Sequence, residues 1–246
     1  VSALYRLTAT ETRLFFREPM SVLFALAIPP ALLVILGAVP SFRESVPDLG
    51  GLRIIDLYVP IIVALGVALF ALTGLPQQFA SYREKGVLRR MRTTPVRPLT
   101  MLGAQLLMSA ALSVVTVLVV LATARLVFDV GLPRHLLAHL VAYLLTISAM
   151  FAVGLLVASL APSGRSAGAV GTVLLFPNMF FAGLWLPRDA MNDVLRTISD
   201  LTPLGAAVQS LQDATAGHWP QATHVAVLLG WTVVAGGLAA RYFRWE

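Results

Sequence analysis

Three observations together predict an all-α polytopic membrane protein. Of the 246 residues only 12% are charged and 58% are hydrophobic, whereas a soluble domain is about a quarter charged. Six apolar runs, at about 20–39, 58–79, 101–127, 138–160, 167–186 and 222–240, approach the roughly 20 residues needed to cross a ~30 Å hydrocarbon core. The runs are continuous, whereas a strand barrel would show alternating segments of about 10 residues. Helices satisfy their own backbone groups, as lipid requires. Cysteine is absent, which excludes disulfides, thiolate nucleophiles and Cys-ligated metals.

Residues 2–18 read as a helix ahead of the first run. Arg6, Thr10, Arg13 and Arg17 share one face, with Leu4, Leu7, Leu14 and Phe15 largely opposite. Such a helix can lie on the inner leaflet, each arginine gaining about 1 kcal/mol from anionic lipid. The plainer reading is a positively charged flank. The run that follows is long enough to stay as an anchor, and no cleavable signal is expected.

The connection at 40–57 is short and polar. After the second run comes "SYREKGVLRRMRTTPVRP" at 81–98, which holds six of the eighteen Lys and Arg and one acid, Glu84. A helix through residues 83–92 puts Glu84, Val87, Leu88 and Met91 on one stripe and spreads Arg83, Arg89, Arg90 and Arg92 around the rest. Pro95 and Pro98 then stop it. Glu84 falls on the apolar side, so its carboxylate is expected to meet a group on another molecule. The plain alternative is a positive-inside loop.

A short connection at 128–137 joins the third and fourth runs, and "APSGRS" at 161–166 is a tight inner turn into the fifth. Gly164 and Gly168 are four apart, as are Ala167 and Gly171, and Ala235, Gly236, Gly237, Ala239 and Ala240 follow later. Close helix contact in lipid favours such spacing, within one chain or between two. The loop at 187–221 carries two short helices. Met191, Val194, Leu195 and Ile198 form the stripe of the first. Thr202 caps the second, with Pro203 in its first position and a stripe of Leu204, Ala207, Val208 and Leu211. Such a segment dips into the outer leaflet or covers a pathway.

With both ends cytoplasmic, twelve basic residues fall inside and six outside: Arg43, Arg53, Arg125, Arg134, Arg188 and Arg196. The acids split the other way, with Glu11, Glu18, Glu84 and Glu246 inside and eight outside. That bias supports an even number of spans with both termini in the cytoplasm. The net charge of +6 is thus a topology signal, and no nucleic acid partner is expected.

"GRSAG" at 164–168 matches the G-x-S-x-G nucleophile elbow. Catalysis needs a histidine within hydrogen-bond reach, and His135, His139, His218 and His224 all fall near the outer ends of the runs. An embedded hydrolase is therefore set aside. An ion-coupled carrier usually holds an acid or histidine deep in its spans, and the central parts of these runs contain no acid. A P-loop needs Lys followed by Ser or Thr, and the only lysine, Lys85, is followed by Gly86. If ATP drives this protein, another chain binds it.

The residues "YREKGVLRRMRTTPVRPLTMLGAQLL" at 82–107, "FPNMFFAGLWLPRDAMNDVLRTISDLTPLGAAVQSL" at 176–211 and "FFREPMSVLFALAIPPALLVIL" at 15–36 carry a family likeness. Its anchors are Glu84, Gly86 and Leu88 with Pro95 downstream, then Phe181, Gly183 and Pro187, with Pro203 sixteen residues later. Over nearly its whole length the chain resembles the type-2 ABC exporter permeases, in particular the daunorubicin-resistance-like multidrug branch. The resemblance implies six spans, an N-terminal interfacial helix, a coupling helix between spans 2 and 3, and short external helices after span 5. It implies two permease subunits, identical or not, and two ATP-binding subunits that carry ATP and magnesium. This chain then binds no cofactor or metal. Carried over residue by residue, Arg83, Glu84, Gly86, Val87, Leu88 and Met91 couple to the ATPase, and Phe70, Thr73, Gln77, Phe176, Asn178 and Phe180 are path candidates. The expected cargo is an amphipathic drug, antibiotic or lipid-like molecule leaving across the cytoplasmic membrane of a bacterium. Export of polysaccharide or lipid-linked glycan is the alternative, since that branch shares the architecture.

Overall fold

The computed structural model describes residues 3–17, 22–47, 51–87 and 98–242. Among them the elements are helical, apart from one isolated bridge between Ser45 and Arg53. Helix α1 spans Ala3–Phe16. A π-helical turn, Leu23–Ala27, leads into α2, Ile28–Ala38. Then α3 (Ile54–Leu69), a second π-helical turn (Phe70–Gly74) and α4 (Leu75–Glu84) follow as one uninterrupted rod. Next come α5 (Pro98–Phe128), α6 (Leu136–Leu160) and α7 (Gly164–Phe181). Two short helices, α8 (Asp193–Leu201) and α9 (Pro203–Ala216), precede α10 (Ala222–Tyr242).

Four helices among the described residues are long and apolar enough to cross a membrane: the Ile54–Glu84 rod, Thr100–Phe128, α6 and α10. They correspond to the second, third, fourth and sixth apolar runs. The fifth run is α7, a helix of 18 residues whose three glycines, Arg165, Pro177 and Asn178 lower its hydropathy. The first is helical from Leu23 to Ala38, and its start lies outside the described residues.

The rod is the axis of the bundle. Its most apolar stretch is 83% buried, against 22% for α10. Helices α2, α5, α6, α7 and α9 all pack on it. Leu33, Ile62, Leu72, Leu75 and Phe79 are sealed inside, while Leu118, Leu126, Val173, Val233 and Val234 stand exposed on the outer helices. An exterior so apolar suits lipid rather than water.

Two glycines let neighbours approach the axis. The carbonyls of Ala71 and Leu72 lie within its widened π-turn. A Cβ on Gly154 of α6 would stand 2.0 Å from the Ala71 oxygen, and one on Gly171 of α7 only 1.6 Å from the Leu72 oxygen. The small-residue pattern around 164–171 therefore serves contact within one chain. At the axis's start, Arg53 caps α3 in a box with Asp56 and also donates to the carbonyls of Phe128 (2.9 Å) and Asp129 (3.2 Å) at the end of α5. A guanidinium there satisfies carbonyls that a helix C-terminus leaves orphaned.

The helix expected through 83–92 is interrupted. Gly86 takes φ +66, a left-handed conformation that ends α4. Glu84 therefore belongs to the last turn of the axis and does not share a helical stripe with Val87. Leu88, Arg89, Arg90, Met91, Arg92 and Pro95 lie outside the described residues. At the C-terminal end of α7 the phenylalanine–glycine motif is a helix stop. Gly183 (φ +87) donates to the Phe180 carbonyl at 3.0 Å, and Leu184 donates to Met179 at 3.1 Å.

The two short helices α8 and α9 form as their capping residues dictate. Asn192 accepts from the Leu195 N–H and Thr202 from the Gly205 N–H. Leu204, Ala207, Val208 and Leu211 are all buried, as their stripe predicts. The first helix differs. Met191 is buried, but Val194 (67%) and Ile198 (41%) are exposed, so its apolar stripe splits between the bundle and the surroundings.

Gly171→Ala is expected to lower stability by at least about 2 kcal/mol, because the new methyl meets backbone rather than a movable side chain. Gly237→Ala, which opens onto empty space, should be neutral. Thermal unfolding of both variants in detergent checks this; equal midpoints would contradict the packing argument.

Candidate functional site

Successive residues on a helix point about 100° apart, so the last turn of α4 can reach three neighbours at once. Tyr82 donates its hydroxyl proton to Glu11 Oε2 at 2.6 Å and accepts from Gln78 Nε2 at 2.6 Å. Arg83 donates to the carbonyls of Ala158 (3.3 Å), Ser159 (3.4 Å) and Ala161, at the C-terminal end of α6. Glu84 Oε2 accepts from the Gly164 N–H, the first residue of α7, at 3.0 Å. Cation on the C-terminus of α6 and anion on the N-terminus of α7 both complement the helix dipoles. Arg83 and Glu84 thus bracket the 161–163 turn from either side.

The turn is ready for them. Ser163 accepts from the Ser166 N–H at 3.2 Å, and Ser166 Oγ accepts from the Ser163 N–H at 3.1 Å, a reciprocal cap. Its hydroxyl also donates to the Ser163 carbonyl. The serine of "GRSAG" is accounted for as a helix cap. Gly164 and Gly168 then lie flat on the axis. A Cβ at 164 would stand 3.2 Å from Ser81 Cβ and 3.1 Å from the Gln77 carbonyl, and one at 168 would stand 3.1 Å from Gln77 Oε1.

Glu11 is the buried acid of this region, 5% exposed. Burial pushes its carboxyl above the ordinary glutamate value, and the Tyr82 hydroxyl pulls it partly back. Leu4, on the same helix, lies against Gly103 of α5, and the Phe15 ring sits 6.1 Å from that of Phe70. Arg6, Thr10, Arg13 and Arg17 face outward, as their spacing predicts. Glu11 was missed by that spacing argument, although Leu4, Leu7, Glu11 and Leu14 follow one 3-4-3 stripe. An acid inside an apolar stripe was the available signal.

The coupling candidates separate. Arg83 and Glu84 are engaged inside the chain, and Glu84 stands exposed at the end of α4 rather than on an apolar stripe. Gly86 and Val87 follow the helix stop, and Leu88 and Met91 lie outside the described residues. The path candidates separate too. Phe70 is buried against Phe15. Thr73 is half-buried and donates to the Leu69 carbonyl at 2.7 Å. Gln77 is exposed beside Gly168, and Phe176 is exposed with its ring 6.5 Å from Trp185. Asn178 and Phe180 are half-buried, and Asn178 Oδ1 is shielded without a partner in the described contacts. Gln77 and Phe176 are exposed along α4 and α7; Phe70 is not.

At the opposite end of the bundle Asp200 binds the Arg188 guanidinium through both oxygens, the second at 2.9 Å, and His224 Nε2 lies 3.2 Å from Oδ1. Burial raises the Asp200 carboxyl, but Arg188 and then His224 outweigh it and hold it below the ordinary value. The group joins the segment after α7 to α8 and α10. It borders a cleft of about 300 Å³ that Gln209 and Gln221 also line. Trp231 adds a bond from its indole N–H to the Leu201 carbonyl at 2.9 Å.

Apolar helices around one buried axis, with charge confined to the two ends, define a polytopic membrane protein. Compared with known families, the chain matches the ABC-2 type transporter over residues 2–215, and it belongs to that family. Such chains are the membrane permease components of their transporters. A comparison with curated proteins finds no match.

The Glu11 contact should be pH-dependent. A raised carboxyl value means that the packed state of Glu11 is fully favoured below the ordinary glutamate value and loses that advantage as pH rises through the raised one, because burial outweighs the Tyr82 bond. Hydrogen exchange of residues 3–16 should therefore be slower at pH 5 than at pH 8, after correction for the intrinsic rate. Glu11→Gln should flatten that difference, and an unchanged pH response in this variant would count against the assignment.

Proposed function

We propose that the chain is the membrane-spanning permease subunit of an ATP-driven exporter, working as a pair of permeases with two ATP-binding subunits on the cytoplasmic side. The family match over residues 2–215 carries the reading. The sequence supports the division of labour: its single lysine precedes glycine and cannot complete a P-loop, so ATP and magnesium belong to the partner. Gly86, Val87, Leu88 and Met91 then provide the docking surface, and Arg83 and Glu84 anchor it to the bundle.

The cargo in this reading is an amphipathic drug, antibiotic or lipid-like molecule, the class handled by the daunorubicin-resistance-like branch. The exposed line from Gln77 to Phe176 offers aromatic and amide surface and no ionisable group, which suits such cargo. Spans 2 and 5 would face their counterparts across the permease pair. The first and fifth runs complete six spans, with both termini in the cytoplasm and residues 187–221 outside the cytoplasmic membrane.

The native chain has no cysteine, so topology can be read cleanly. Arg90→Cys should react with an impermeant maleimide only after the cells are opened, and Asp193→Cys in intact cells. Labelling of position 90 from outside would overturn the orientation. Co-purification of an ATP-binding subunit tests the partnership. With the complex in hand, Asn178→Ala and Phe180→Ala should shift cargo preference several-fold while assembly is unchanged. Identical transport of every cargo tried would remove both from the path.

A further inference from the structure

Three consecutive side chains hold three different elements, and nothing about a docking surface requires that. Tyr82 reaches the buried Glu11 of α1, Arg83 the last carbonyls of α6, and Glu84 the first N–H of α7. The helix stop at Gly86 comes two residues later. A displacement of the chain at Gly86 can therefore enter the bundle through this turn. We propose that Tyr82, Arg83 and Glu84 are positioning residues of the transport cycle. They distribute the ATPase stroke along two separate limbs, Tyr82 to α1 and the Arg83–Glu84 pair to the α6–α7 hairpin.

The two limbs have different physical characters. The hairpin limb is stiff: charge at both helix ends is backed by the flat Gly164, Gly168 and Gly171 face, whose glycines leave no side chain to slide. Span 2 and the hairpin therefore move as one body, and the inner turn at 161–163 travels with the axis. The α1 limb, among the described residues, is a hydroxyl–carboxyl bond at 2.6 Å, the Phe15–Phe70 ring contact and half-buried contacts such as Leu4 on Gly103. It can release while the hairpin stays attached.

The inference rests on the exporter reading, and the experiment separates the two. The complex of this chain with its ATP-binding subunit is reconstituted in lipid nanodiscs, and hydrogen exchange is followed with and without ATP and vanadate. In the wild type, nucleotide should change exchange by about threefold or more both at residues 3–16 and at 158–167. Tyr82→Phe should lose the response at 3–16 alone. Glu84→Ala and Arg83→Ala should lose it at 158–167 alone, and Glu84→Gln, which keeps an acceptor oxygen, should restore it. A merely structural role would alter exchange equally with and without nucleotide. The disulfide Ser81→Cys/Gly164→Cys gives a second measurement, since the Cβ separation of 3.2 Å is slightly under the 3.5–4.5 Å that disulfides span. Oxidised complex should hydrolyse ATP within about twofold of reduced complex, as expected for parts that never separate. Loss of activity on oxidation with recovery on reduction overturns the one-body statement. A wild-type response in every variant overturns the distribution while the exporter reading stands. If no ATP-binding subunit co-purifies, the exporter reading itself fails, and the inference with it.

Discussion

The rest of the fold depends on how the second span is held, because lipid offers its neighbours' helix ends nothing to bond with. Each helix leaves carbonyls unsatisfied at one end and N–H groups at the other, and the hydrocarbon core holds no water to satisfy them. Arg53 at the start of the axis covers carbonyls of α5, and Arg83 at its end covers carbonyls of α6. Glu84 takes an N–H of α7. Arginine suits this work because its fork reaches more than one oxygen and keeps its charge. One helix thus closes three others. Its own middle can then be almost wholly apolar.

That arrangement explains the π-turn. A turn of i→i+5 bonds is wider than its flanks, and here it falls where α6 and α7 present glycines. The carbonyls of Ala71 and Leu72 occupy the space that a side chain on Gly154 or Gly171 would need. Removing those side chains brings backbones close, which in lipid supplies the dispersion contact that hydrophobic burial supplies in water. Gly164, Gly168 and Gly171 are therefore spaced for the axis. The same glycines explain why α7 carries too little hydropathy to announce itself as a span. Its one buried stripe, Gly164, Ala167, Gly171 and Leu175, is the face turned to the axis.

Much of this was legible in the chain. The apolar runs located the helices because a span must be continuous, and Thr202–Pro203 and the buried stripe after it located α9 because caps are local chemistry. What failed was the stripe through Glu84. Periodicity assumed that one helix continued past Gly86, and a glycine in the left-handed region ended it. The partners of Arg83 and Glu84 lie about eighty residues away, so no local pattern could reveal them. Glu11 was accessible in principle, since an acid on an apolar stripe implies a partner. Sequence counted it only as one more inner charge. Asp200, Arg188 and His224 are likewise joined only by the fold.

The placement of charge bears on mechanism. At one end of the bundle Glu11, Arg83 and Glu84 each meet a hydroxyl or a backbone group; at the other, Asp200 meets Arg188 and His224. Several polar contacts between those levels are neutral. Ser113 meets Tyr143 at 2.8 Å, Thr116 and Thr146 bond back to carbonyls one turn earlier, and Asn178 does the same. Such groups can orient a cargo or tie helices together, but they do not take up and release protons near neutral pH. A relay that drew energy from an ion gradient would need a titratable group at mid-depth. Charge that grips backbone is found at the helix ends, and the last turn of α4 grips three elements at once.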